Sequence, residues 1–110
     1  MKHIDVNQLY PKWLIAKEKA KACTIIDVRE TNEYAQGHVP GAILIVLNTV
    51  PAHCDKFPDE GDVYVICRSG MRSSQAIDFL EQQHGHRNLI NVTGGTVAWI
   101  EANYPIEEGV

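Results

Sequence analysis

No stretch of this chain approaches the roughly 18 uninterrupted apolar residues of a membrane span. The N-terminal MKHIDVNQLYPKW also lacks the apolar core and small-residue cleavage site of a secretory signal. Both absences point to a soluble, cytoplasmic protein that is not bound to a membrane. Cysteine is scarce: Cys23, Cys54 and Cys67 are the three thiols, an odd number with no CxxC pair. Neither a disulfide framework nor a cysteine zinc site is indicated, and at least one thiol is expected to be free. Positive charge is in deficit, with 10 Lys and Arg against 14 Asp and Glu for a net charge of -4. That balance opposes general attraction to nucleic acid or anionic lipid, so any anion site must be local. No GxxxxGK[ST] motif supports nucleotide hydrolysis, and no repeat or low-complexity segment divides the chain.

The sequence offers 110 residues, 45% hydrophobic and 22% charged, which suits one compact domain over residues 1–110. Strand-length apolar runs alternate with helical segments, the pattern of an α/β domain with a largely parallel sheet and helices on both faces. Asp5 is placed to cap a first helix reaching Lys19, with Pro11 expected to divide it. Thr24–Val28, Ala42–Ile45, Val63–Ile66 and Leu89–Val92 read as strands. A short helix is expected from Thr31 to Gln36, ended by Gly37, and a longer one from Met71 to His84, ended by Gly85. A last helix spans Thr96–Asn103, while Pro51, Pro58 and Gly61 make residues 48–62 a loop or irregular helix.

Chemistry concentrates at Cys67. It ends the Val63–Ile66 strand and precedes a loop, Arg68-Ser69-Gly70-Met71, that feeds a helix N-terminus, which is where open α/β sheets place ligands. Unpaired N–H groups at that terminus, with Arg68 and Arg72 nearby, favour a thiolate over a thiol. The thiolate is the nucleophilic form of cysteine. Ser69 and Ser73 offer hydroxyl donors, and Gly70 lets the loop curl so that successive N–H groups converge on one point. A buried core cysteine is the plain alternative, but it leaves this run of glycine, serine and arginine unexplained. Cys23 and Cys54 have no such setting and are read as structural or incidental. His84 and His86 flank Gly85 without further ligands, so neither metal nor cofactor is assigned.

Three ordered segments carry a family resemblance: Asp27-Val28-Arg29 with Glu33-Tyr34 and Gly37-His38-Val39-Pro40-Gly41-Ala42; Cys67-Arg68-Ser69-Gly70-Met71-Arg72-Ser73; and Gly94-Gly95-Thr96-Val97-Ala98-Trp99. Together they span most of the chain and resemble the rhodanese family. The resemblance implies a single rhodanese-like domain in which Cys67 carries a sulfane sulfur and the loop from Arg68 to Ser73 binds the substrate. It also implies that Asp27, Arg29, Glu33, His38, Gly94, Gly95 and Trp99 support the site, with Arg29 and Glu33 paired near the sheet edge. His38 is read as a buried or capping residue rather than a base, and Trp99 as a core aromatic.

The expected activity is sulfur transfer from thiosulfate, or another persulfide donor, through a Cys67 persulfide to cyanide or a thiol acceptor such as a small redox protein. A persulfide carrier and a non-catalytic regulatory module are the alternatives. Cysteine phosphatases and arsenate reductases share the strand-end cysteine and arginine, but the resembling phosphatases place five residues between them. Here four separate Cys67 from Arg72, shaping a smaller anion site. After Gly41-Ala42 the chain lacks a proline that the family often has, which touches the identity of donor and acceptor more than the sulfur chemistry.

Overall fold

The computed structural model describes all residues from Met1 to Val110. The elements run β1 (Lys2–Asp5), α1 (Val6–Glu18), β2 (Thr24–Asp27), α2 (Thr31–Gln36), β3 (Ile43–Leu44), β4 (Val63–Ile66), α3 (Met71–His84), β5 (Leu89–Thr93) and α4 (Gly95–Glu101). Two short 3₁₀ turns, Leu47–Ala52 and Cys54–Lys56, occupy the proline-bearing connection. The five strands form one sheet in the order β1-β5-β4-β2-β3, every pairing parallel. From the central β2–β4 pair, the chain leaves in opposite directions, through α2 to β3 and through α3 to β5. The crevice at the carboxyl ends of β2 and β4 is thus a topological switch point, and Asp27 and Cys67 lie there.

Helices cover both faces, as a parallel sheet buried on two sides requires. One core joins Leu9 and Trp13 of α1 and Trp99 of α4 to Ile25, Tyr64, Ile66, Ile90 and Val92 of the sheet. The other joins Ala76, Ile77 and Leu80 of α3 to Ile26, Val28, Val63, Val65 and Leu89. Ile77 and Leu80 are fully buried, each contributing roughly 1.5–3 kcal/mol of transfer free energy. No helix is long and apolar enough to cross a membrane.

The helix from Met71 to His84 and the strand Val63–Ile66 stand where the residue pattern puts them. The start of the chain differs. Lys2–Asp5 forms an edge strand that the sequence reading omitted, because Ile4 is its only buried residue. Asp5 then caps α1 in a reciprocal capping box with Gln8. Pro11 does not divide that helix, which runs unbroken from Val6 to Glu18. Pro11 is exposed, so the missing backbone donor falls on the solvent side, while burial of Val6, Leu9, Trp13 and Ala16 holds the turns on either side together.

Candidate active site

Cys67 follows β4 directly and its residue surface is 1% exposed. Gly70 turns the chain back at φ +113°, a conformation that a side chain would oppose. This turn points the Gly70 N–H at the Cys67 Sγ, at 3.0 Å. Ser73, fully buried in the first turn of α3, brings its hydroxyl to 3.3 Å from the same sulfur. Burial pushes the Cys67 thiol up, but the Ser73 hydroxyl and the backbone N–H groups of Ser73, Gly70 and Ser69 outweigh it and hold the thiol below its ordinary value. Of the donors expected from the loop, the Gly70 N–H and the Ser73 hydroxyl reach the sulfur, whereas the exposed Ser69 hydroxyl makes no bond to it. Arg68, Ser69 and Met71 are exposed around it, Met71 by 74%.

The loop is fixed from behind by α4. The Thr96 N–H and hydroxyl both donate to the Cys67 carbonyl, at 2.9 and 3.1 Å, and the Val97 N–H donates to the Arg68 carbonyl at 3.1 Å. Gly95 at φ +58° lies so close that a Cβ would collide with the carbonyls of Cys67 and Arg68. Gly95 thus lets the last helix pack directly on the cysteine loop, and Gly94, at φ +79°, begins that helix. Sequence reasoning placed these glycines as supports but passed over Thr96, whose position after Gly-Gly at a helix start was the available signal.

The ion pairs differ from the expected ones. Arg29 does not pair with Glu33. Its guanidinium holds Asp27, with Nε at 3.0 Å from Oδ1 and Nη2 at 2.9 Å from Oδ2, and Nη2 also donates to the Gly37 carbonyl at 2.8 Å. Asp27 is fully buried at the end of β2, and a carboxylate taken out of water requires a partner within reach. Arg29, two residues along, meets that need. Glu33 instead faces the loop and takes a bidentate pair of bonds from Arg72, at 2.7 and 2.9 Å. These bonds, with a backbone contact from Glu30, hold the Glu33 carboxyl at about 2. Much of the Arg72 charge is therefore matched by Glu33, and the low Cys67 value comes from hydrogen bonds more than from arginine. Arg68 makes no ion pair.

Arg68 lines a cavity of about 370 Å³ together with Arg29, Glu33, Gln36, Gly37, Thr96, Val97 and Ile100. A larger one, about 790 Å³, lies at the β1 edge and contains no cysteine in its lining. His38 is 2% exposed, donates from Nδ1 to the Tyr34 carbonyl at 2.7 Å and stacks on the Tyr34 ring. Both contacts tie His38 to α2. Trp99 is fully buried, donates to the Pro105 carbonyl and packs edge-on against Trp13 at 5.7 Å. Cys54 lies 3.2 Å from His84 Nε2, and His86 Nε2 reaches the Phe57 carbonyl. No group of three or more His, Cys, Asp or Glu side chains gathers as a metal site.

The rhodanese-like domain model matches residues 10–102. A sulfurtransferase of Allochromatium vinosum is 38% identical over 82 residues, covering 74% of this chain and 76% of its own. The thiosulfate sulfurtransferase GlpE of Shewanella oneidensis is 30% identical over 102 residues, covering 93% of this chain and 95% of its own. A putative sulfur carrier protein of Bacillus subtilis, YrkF, is 35% identical over 79 residues, which are 72% of this chain and 42% of that protein. Among solved structures, a rhodanese-like domain protein of Staphylococcus aureus superposes with a TM-score of 0.84 at 32% identity, over the whole of both chains. With its parallel sheet, its strand-end cysteine loop and the family match over most of its length, this chain belongs to the rhodanese-like domain family.

Proposed function

We propose that the protein is a sulfurtransferase that takes a sulfane sulfur from thiosulfate onto Cys67 and delivers it to a thiol. The observation that carries this reading is the convergence of the Gly70 N–H and the Ser73 hydroxyl on the Cys67 sulfur, which favours a thiolate and, equally, a persulfide anion. The Cys67 thiolate attacks the outer sulfur of thiosulfate. A bond forms between the two sulfurs as the bond to the sulfonate sulfur breaks, and its electron pair leaves on sulfite. Arg68, free of any ion pair, attracts the dianion, while Arg72 braces the loop through Glu33. An acceptor thiolate, or cyanide in an assay, then attacks the terminal sulfur and releases the Cys67 thiolate. Dividing the transfer in this way replaces one difficult step with two easier ones. The residues Arg68, Ser69, Gly70, Met71, Arg72 and Ser73 form the substrate loop, and the reaction needs neither metal nor cofactor.

Similarity to a putative sulfur carrier favours a second reading, in which Cys67 holds the persulfide for a partner protein rather than turning over small molecules. Intact mass measurement after thiosulfate treatment tests both. One added sulfur, lost on cyanide or dithiothreitol and absent from Cys67→Ser, supports sulfur acceptance at this site. Rapid thiocyanate production then favours the enzyme, whereas stable loading with slow release to small acceptors favours the carrier. No added sulfur under any donor would refute the proposal.

A further inference from the structure

The Ser73 hydroxyl has one proton and two acceptors before it. The Cys67 sulfur is 3.3 Å away and the Asn91 Oδ1 is 2.5 Å away. All three residues are buried, at 1%, 0% and 4% exposure for Cys67, Ser73 and Asn91, so each donor and acceptor needs a partner within the protein. When the proton lies toward Asn91, Ser73 presents a lone pair to the sulfur. That arrangement suits a protonated Cys67, whose S–H donates to Ser73. Turning the amide over reverses the chain: Asn91 Nδ2 donates to the Ser73 oxygen, and the hydroxyl proton turns to the sulfur. This second arrangement suits a thiolate or a persulfide anion.

Nothing at the far end of Asn91 forbids either orientation. Its Nδ2 lies 3.4 Å from the His3 Nδ1, across a pair of residues in register between β1 and β5. A neutral imidazole can present that nitrogen bare or protonated, so it can accept from the amide nitrogen or donate to the amide oxygen. Asn91 also lies behind the loop. A Cβ at Gly70 would stand 3.7 Å from its Nδ2, so the same side chain backs both donors that reach the sulfur.

We propose that Asn91 is a positioning residue for sulfur transfer: by the orientation of its amide it assigns the single Ser73 proton either to itself or to Cys67, matching the hydrogen bonds to the charge on the sulfur. This rests on Cys67 being the sulfur-bearing residue. Hydrogen bonds to a charged group are roughly twice as strong as those between neutral groups. Asn91 bonds to Ser73 and not to the sulfur, so its removal reaches the thiolate by taking away the Nδ2 bond that polarises the Ser73 hydroxyl donating to the charge, a cooperative loss larger at a charge than at a neutral thiol. The charged groups around the cradle, Arg68, the Arg72–Glu33 pair and the Arg29–Asp27 pair, are the same in every variant considered.

The test is the pH profile of Cys67 alkylation by iodoacetamide, followed by mass spectrometry, in the wild type, Asn91→Leu, Ser73→Ala and the double variant. Leucine has a similar volume and no hydrogen bonds, and circular dichroism checks its folding. Asn91→Leu is expected to move the profile to higher pH and slow alkylation about threefold to tenfold at neutral pH. Ser73→Ala should do the same, and the double variant should match Ser73→Ala, because Asn91 has no route to the sulfur without Ser73. A second variant, Asn91→Asp, offers a carboxylate that only accepts and keeps the Ser73 proton; its profile should move further up, and by less in the Ser73→Ala background. An unmoved profile in Asn91→Leu, or shifts that simply add in the double variant, would overturn the role of Asn91. These outcomes are independent of thiosulfate: a protein that never acquires sulfur would refute the proposed function while alkylation still judged the amide.

Discussion

Replacing Glu33 with glutamine isolates the ion pair that ties α2 to the cysteine loop. Glutamine keeps the length of the side chain and one acceptor for Arg72, but removes the charge. In the folded protein the Glu33 carboxyl lies at about 2, against 4.5 for an ordinary glutamate. At about 1.4 kcal/mol for each tenfold change in proton affinity, that difference corresponds to roughly 3 kcal/mol. The pair is partly wet, with side-chain exposures of 31% for Arg72 and 23% for Glu33. Solvent screening and the remaining neutral bond reduce the expected loss to about 1–2 kcal/mol. Because the folded value lies below the unfolded one, this stability is fully present above 4.5 and is lost as pH falls from there toward about 2. Urea unfolding of the wild type and Glu33→Gln should therefore show the full gap near neutral pH, and a gap that narrows steadily below about pH 4.5. A gap of unchanged size at about pH 3, or none at neutral pH, would refute the assignment. The same variant unmasks the Arg72 charge beside the donor site, so its Michaelis constant for thiosulfate should fall.

Cys67→Ser should abolish thiosulfate-to-cyanide transfer with the fold intact, whereas Cys23→Ser and Cys54→Ser should retain most activity; an inactive Cys54→Ser would move the site elsewhere. Arg68→Ala should chiefly raise the Michaelis constant, by the equivalent of about 1–3 kcal/mol for a charged partner, while Arg72→Ala should lower turnover too. Steady-state kinetics across ionic strength reads both, and equal defects would defeat that division. Alkylation of Cys67 by iodoacetamide should reach half its limiting rate at a pH below the ordinary thiol range, since the hydrogen bonds outweigh burial; a midpoint above that range would contradict the cradle. Gly95→Ala should lower the melting temperature, because a Cβ there meets the Cys67 and Arg68 carbonyls at a backbone conformation that already disfavours it; an unchanged melting temperature would mean that α4 does not brace the loop.

The parts legible in the sequence were those in which neighbouring residues determine the outcome. Gly70 and Gly85 bracket α3, with Ala76, Ile77 and Leu80 at helical spacing between them, and Val63–Ile66 is apolar on both faces. Cys67 at the end of that strand follows from the same local pattern. Partners separated by many residues were not legible. Glu33 and Arg72 are 39 positions apart, and the family resemblance suggested Arg29 for Glu33 instead. Asp27 claims Arg29 because it is buried, which only the packed sheet determines. Asn91 was read as one more strand residue; a polar side chain inside Leu89-Ile90-Asn91-Val92 was the signal, but its meaning depends on Ser73 across the sheet–helix contact. The strand Lys2–Asp5 escaped notice because an edge strand with one buried residue has little apolar pattern to read.

The pairing of β1 with β5 joins Lys2 to Ile90 and Asp5 to Thr93, so the first of the five strands to be synthesised has the last as its only sheet neighbour. The same is true of the core on that face, where Trp13 of α1 meets Trp99 of α4. During synthesis, Leu9 and Trp13 therefore have no native partner on α4 or β5 until those two elements have emerged, while β2, β3 and β4 can already begin to pair. Contacts of such long sequence separation slow folding and leave apolar surface open in the interval. The edge carrying His3 is thus among the last parts able to close, and the hydrogen-bond chain from His3 to the sulfur can be completed only then.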